Sequence, residues 1–145
     1  MRFSEARKQK VVSTSSATTV GRVDGFVVDA TAGRVVALLL KKTPGDANLL
    51  RWADLTAFGR DAVTVPGAES LTSATGNLAV LADSHHEVVG KLVLTDAGVA
   101  AGKVVDVDFD LTDGTVLTLI TDRDEIPGTS MLGIGSYALM VRTAP

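Results

Sequence analysis

Between Val105 and Leu111 the apolar residues Val105, Val107, Phe109 and Leu111 alternate with Asp106, Asp108 and Asp110, the period-two pattern of a strand with one buried face. A second apolar run, Val116–Ile120, follows Gly114, and the two runs predict a β-hairpin. The same pattern occurs earlier in the chain. Val20–Lys42 lies over Ala101–Arg123 at a constant offset of 81 without a gap, with identities at Gly21/Gly102, Val23/Val104, Asp29/Asp110, Thr31/Thr112, Gly33/Gly114, Val35/Val116 and Leu38/Leu119. Neither copy shows a helical period, and the β-branched content favours strand.

Turn chemistry sets the expected register. A two-residue turn at Asp113-Gly114 would place Leu117 and Leu119 beside aspartates. A three-residue loop, Thr112-Asp113-Gly114, places them beside Phe109 and Val107 and puts Gly at the left-handed third position. The first copy then has an inner face of Phe26, Val28, Val36, Leu38 and Leu40. Its outer face is Val27, Asp29, Val35, Ala37, Leu39 and Lys41; Val116, Thr118 and Ile120 are their outer counterparts in the second copy. So many apolar side chains should not face water, so these strips are expected to be covered by the other repeat or by a partner subunit.

The flanking segments repeat as well. Lys10–Ser13 matches Lys91–Leu94 at the same offset, and Ala62–Val65 falls over Ala138–Val141 after a five-residue shortening. Short strands are expected around Asn48–Trp52 and Leu55–Phe58. Each repeat therefore reads as five or six short strands, the pattern of a small barrel. The expected organisation is a mobile basic arm over 1–9, a first barrel over 10–65, a linker over 66–87 and a second barrel over 88–145. The linker reads as a tether, with one or two helical turns at Leu78–Ala82.

Composition adds limits. No apolar run approaches the roughly 20 residues of a membrane span, and no secretory signal is seen in MRFSEARKQK. The absence of cysteine is compatible with a reducing cytoplasm. The net charge of −3 conceals +4 over residues 1–66 and −7 over residues 67–145. Two halves of opposite sign can attract each other or a neighbouring subunit; a basic face can also meet an acidic partner.

Several residues resemble the PRC-barrel family, small β-barrels named after the photosynthetic reaction centre H subunit. They are Gly21-Arg22-Val23 and Gly102-Lys103-Val104, the strand-ending Asp29 and Asp110, and Gly33-Arg34-Val35 and Gly114-Thr115-Val116. Leu50-Arg51-Trp52-Ala53-Asp54-Leu55 and Gly59–Val63 resemble the family's Trp-centred stretch and closing strand, with Arg51 in place of the expected Pro. The second copy has Ile126-Pro127-Gly128 there instead of the Trp segment. The resemblance implies an all-β protein of two tandem small PRC-type β-barrels with a partly irregular linker. Relatives include the C-terminal barrel of ribosome maturation factors of the RimM type and many bacterial and archaeal stand-alone proteins. Their shared theme is non-catalytic docking, with no catalytic motif and no cofactor to carry over.

Other chemistries fit less well. From Asp106, the calcium-loop pattern needs Gly where Leu111 stands and Glu where Leu117 stands, so the aspartates read as a solvated strand face and no metal is expected. Adjacent His85 and His86 point apart on an extended segment and do not chelate one ion easily, and Ser84 lies in no nucleophile elbow. Gly133–Ala138 matches a dinucleotide fingerprint only formally, because an apolar strand follows where a helix is required. Arg7, Lys8 and Lys10 could meet RNA phosphates, without an aromatic platform for bases. Trp52 reads as a core or interface anchor.

The expected function is a non-catalytic, cytoplasmic protein-binding or assembly (adaptor) module without cofactor. Its interface would draw on Val35, Ala37, Leu39, Trp52, Val116 and Ile120, and its partner is an unidentified protein or a second copy of the chain. The alternatives are an RNA- or ribosome-associated assembly factor resembling the RimM barrel, and an enzyme, for which no nucleophile, base and orienting group can be assembled.

Overall fold

The two Val-rich hairpins build two sheets of identical plan. In the computed structural model, which describes residues 1–83 and 86–143, strands take 45% of the chain and helices 14%, so the protein is nearly all β. The first sheet contains β1 (Lys10–Ser13), β2 (Thr19–Asp29), β3 (Arg34–Lys41), β4 (Leu49–Arg51), β5 (Ala57–Phe58) and β6 (Val63–Val65), in the order β4-β3-β2-β1-β6-β5. The second contains β7 (Leu92–Thr95), β8 (Ala100–Phe109), β9 (Val116–Thr121), β10 (Glu125–Pro127), β11 (Met131–Ile134) and β12 (Leu139–Val141), in the order β10-β9-β8-β7-β12-β11. In both, the first and last strands of the repeat pair in parallel, β1 with β6 and β7 with β12.

The hairpins differ from the expected register at the turn and agree beyond it. Asp29 pairs with Arg34, and the Gly33 N–H donates to the Asp29 carbonyl at 2.8 Å, so the loop holds four residues. Gly33 (φ 72°) and Gly114 (φ 80°) occupy its fourth position, a left-handed site that costs other residues about 1–2 kcal/mol. One residue later the returning strand bulges at Val36, and at Leu117 in the second copy. The bulge restores the expected pairs Phe26–Leu38 and Val107–Leu119. It also exchanges faces locally: Val35 and Val116 turn inward, while Leu117 turns out and stands 47% exposed. A second matched pair of bulges, at Asp24 and Val105, bends β2 and β8.

One hydrophobic core runs through both halves, from Val11, Val23 and Leu38 to Val107, Leu119 and Leu139. At its centre the hairpin turns meet as an antiparallel bridge. The Val35 N–H donates to the Gly114 carbonyl at 2.8 Å, and the Val116 N–H donates to the Gly33 carbonyl at 2.9 Å, a reciprocal pair between equivalent residues of the two copies.

Residues 1–9, expected as a mobile basic arm, are docked. Met1 and Phe109 exchange both main-chain hydrogen bonds, the helical turn α1 (Phe3–Ala6) follows, and Phe3 stacks on Phe26 with centroids 3.9 Å apart. The basic residues conceal the apolar positions Met1, Phe3 and Ala6, which supply the packing. The linker is likewise bound to the first half. Thr72 pairs with Leu49, and helix α2 (Gly76–Leu81) lays Leu78 and Leu81, followed by Ala82, against Val27, Ala37 and Leu49.

Candidate docking face

The expected interface residues divide four ways. Val35 and Val116 are 0% and 1% exposed at the bridge between the copies. Ala37 is buried and Leu39 half-buried under α2. The cover over this strip therefore comes from within the chain, half of it from the linker. Trp52 opens a 3₁₀ turn (Trp52–Asp54), stacks on Phe58 at 5.6 Å and meets Phe109 edge-on at 6.3 Å. Ile120 is the one of the six on the outer side of β9, half-buried between Asp106 and Glu125.

That face is the outer side of β8, β9 and β10. Pairing aligns Asp106 with Ile120 and Ile120 with Glu125; the next outer row is Asp108, Thr118 and Pro127. The two bulges add Val105, 53% exposed, and Leu117. In the first half the matching rows are Gly25, Leu39 and Leu49, then Val27, Ala37 and Arg51, and α2 lies across them. One twin is an apolar face under a helix; the other is an open face with Val105, Leu117 and Ile120 among carboxylates.

The aspartates do not form the free solvent face expected of them. Asp106 is half-buried and accepts from the Ser4 N–H and hydroxyl, and Asp108 lies against the Met1 nitrogen at 3.1 Å. Asp110 and Asp113 accept from the Thr112 and Thr115 N–H groups inside the turn. The Thr115 N–H and, to a smaller degree, its hydroxyl hold the Asp113 carboxyl below its ordinary value. The hydroxyl and main-chain N–H of Thr143 do the same for Asp96. Among the described residues no group of three or more His, Cys, Asp or Glu converges as a metal site, and no helix is long and apolar enough to cross a membrane. Ser84 and His85 lie outside the described residues.

The basic residues collect on the first half. Arg7, Lys8 and Lys10 are exposed; Lys10 pairs with Arg22 and Arg22 with Lys41, which makes a cationic row across three strands. Asp24 accompanies Lys41 at 3.8 Å.

Five of the six strands of the second half, its two bulges and the Gly114 turn lie within a stretch that matches a known family. A PRC-barrel domain is found at residues 82–137. The PRC-barrel domain thus holds β7 to β11 and the whole open face, while the closing strand β12 lies beyond the matched residues. No curated protein matches the chain. Sequence reasoning missed the role of Phe109, which touches the rings of Phe3, Phe26, Trp52 and Phe58; the signal was present as a Phe where the first copy has Val28.

Proposed function

We propose that the protein is a non-catalytic docking module of the cytoplasm, made of two tandem PRC-type barrels fused into one body. The first half is the second barrel: it has the same strand order, the same two bulges and the same left-handed turn Gly. The observation that carries the docking role is the unequal cover of the twin faces. Leu117 and Ile120 face outward where their counterparts Val36 and Leu39 pack with α2, and Val105 is exposed where the first half has Asp24. Glu125, and Asp106 beyond its hydrogen bonds to Ser4, favour a cationic amphipathic helix of a partner protein, a helix-in-groove contact; Asp108 is already paired with the Met1 ammonium. A second copy of the chain placed face to face there would set these carboxylates against each other. Immobilised wild-type protein is expected to retain one defined partner at high salt, and Leu117→Lys to lose it with thermal unfolding unchanged. Equal retention by both would remove the face from consideration, and turnover of any substrate would overturn the non-catalytic reading.

The row Lys10, Arg22 and Lys41 supports a second reading, contact with structured RNA. That reading requires binding that weakens steeply with salt and falls further in Lys10→Ala and Arg22→Ala, with no response to Leu117→Lys.

A further inference from the structure

The two halves end differently. In the first, the chain leaving β6 passes Pro66 and a 3₁₀ turn (Ala68–Ser70) and returns along the free edge of β4. Leu49 and Thr72 exchange both main-chain hydrogen bonds, 2.9 and 2.8 Å, and Leu71 beside them is 9% exposed in the main core. This segment plugs the end of the sheet. In the second half Glu125 of β10 stands where Leu49 stands, at the offset of 76 that also carries Val65 to Val141. Among the described residues no strand pairs with the outer edge of β10. A cleft of about 420 Å³ opens there, lined by Ala101, Ile126 and Val141, with Thr95 and Thr129 also on its walls.

The edge carries a second mark of a missing strand. The Leu49 N–H donates to the Thr72 carbonyl, but the Glu125 N–H donates at 2.8 Å to the carboxylate of Asp124, the preceding residue. That carboxylate occupies the place of a strand carbonyl.

We propose that this edge and cleft bind an extended segment of a partner protein, which adds antiparallel to β10 and places one leucine-sized side chain in the cleft. Main-chain pairing at an exposed edge supplies affinity and the side-chain pocket supplies selectivity. Asp124 and Glu125 are both exposed on the edge and select a segment with Lys or Arg next to its anchor. Arg142, on another wall, is already engaged by the Thr129 carbonyl at 3.2 Å. The chain's own plug has the opposite charge, Glu69, two residues before Leu71, so β10 discriminates against a second copy's plug. The site lies at the edge of β10 and shares Glu125 with the β8–β9–β10 outer face, but it does not depend on that face binding anything.

The test uses the full ¹⁵N-labelled chain and synthetic peptides with the sequence of residues 67–73. A peptide carrying Glu69→Lys is expected to shift the amides of Glu125, Ile126 and Ala101 saturably, and to bind at least tenfold tighter than the unaltered peptide or one that also carries Leu71→Ala. Thr129→Trp, at an exposed position on the cleft wall, is expected to abolish the shifts while thermal unfolding stays unchanged. No saturable shifts, equal affinity with and without Leu71 or Glu69→Lys, or shifts that survive Thr129→Trp would each overturn the proposal.

Discussion

Phe109 is the one described ring that touches four others, and it does so from the opposite half of the molecule. Phe3, Phe26, Trp52 and Phe58 belong to the first half, and their centroids lie 5.4–6.3 Å from that of Phe109, within the range of favourable aromatic pairing. Phe109→Ala would leave a cavity among four rings and is expected to cost about 3–5 kcal/mol in chemical denaturation. The two turn glycines separate backbone strain from packing. A Cβ on Gly33 meets nothing within 4 Å, whereas one on Gly114 would lie 2.8 Å from the Val35 carbonyl and 3.2 Å from the Trp52 ring. Gly33→Ala should therefore cost about 1–2 kcal/mol of left-handed strain, and Gly114→Ala clearly more in the same measurement. The same turn responds to acid. Because folding lowers the Asp113 pKa, its contribution is present above the ordinary carboxylate value and lost as pH falls through the folded one. Asp113→Asn is expected to be slightly less stable than wild type near neutrality and equal to it at about pH 2, by thermal unfolding.

At the scale of elements, much of the hairpin could be read from alternation. The Val107–Leu119 register followed from Gly114 and the apolar spacing. The bulge at Leu117 could not be read, because an extra residue leaves composition unchanged while it exchanges inside for outside. Hence Val35 and Val116, expected on the outer strip, lie inside at the bridge. Helix α2 was legible as a helical turn, but its target was not, since tertiary docking leaves no periodic trace in six residues. The covering of Ala37 and Leu39 by α2 leads to a local expectation. Leu39→Glu should free α2, raising hydrogen exchange of the Ala82 amide, which donates to the Leu78 carbonyl at 2.8 Å, far more than that of the Leu119 amide in the other half. Equal protection of both amides in the variant would mean that the helix is held elsewhere.

At the scale of the molecule, the repeats resemble two barrels in plan but share one core. The reciprocal bridge between Gly33–Val35 and Gly114–Val116, the aromatic cluster and the docked α1 all cross between halves. A single unfolding transition is expected, with tryptophan fluorescence from Trp52 and far-ultraviolet dichroism coincident. Residues 76–145 expressed alone should not give a cooperative transition. The asymmetry of the halves was also partly legible: the second copy's replacement of the Trp stretch by Ile126-Pro127-Gly128 is visible in the sequence. Its cause is not. The 3₁₀ turn opened by Trp52 has its twin opened by Gly128, where a Cβ would lie 1.9 Å from the Val116 carbonyl, so that position admits no side chain at all.

The place of Phe109 also has a consequence for how the chain is made. Phe26 and Phe58 leave the ribosome well before the ring that completes their cluster. At translation rates of about 5–20 residues per second the 51 residues from Phe58 to Phe109 take roughly 3–10 s to synthesise. For those seconds the rings of Phe3, Phe26, Trp52 and Phe58 lack the one side chain that touches all four.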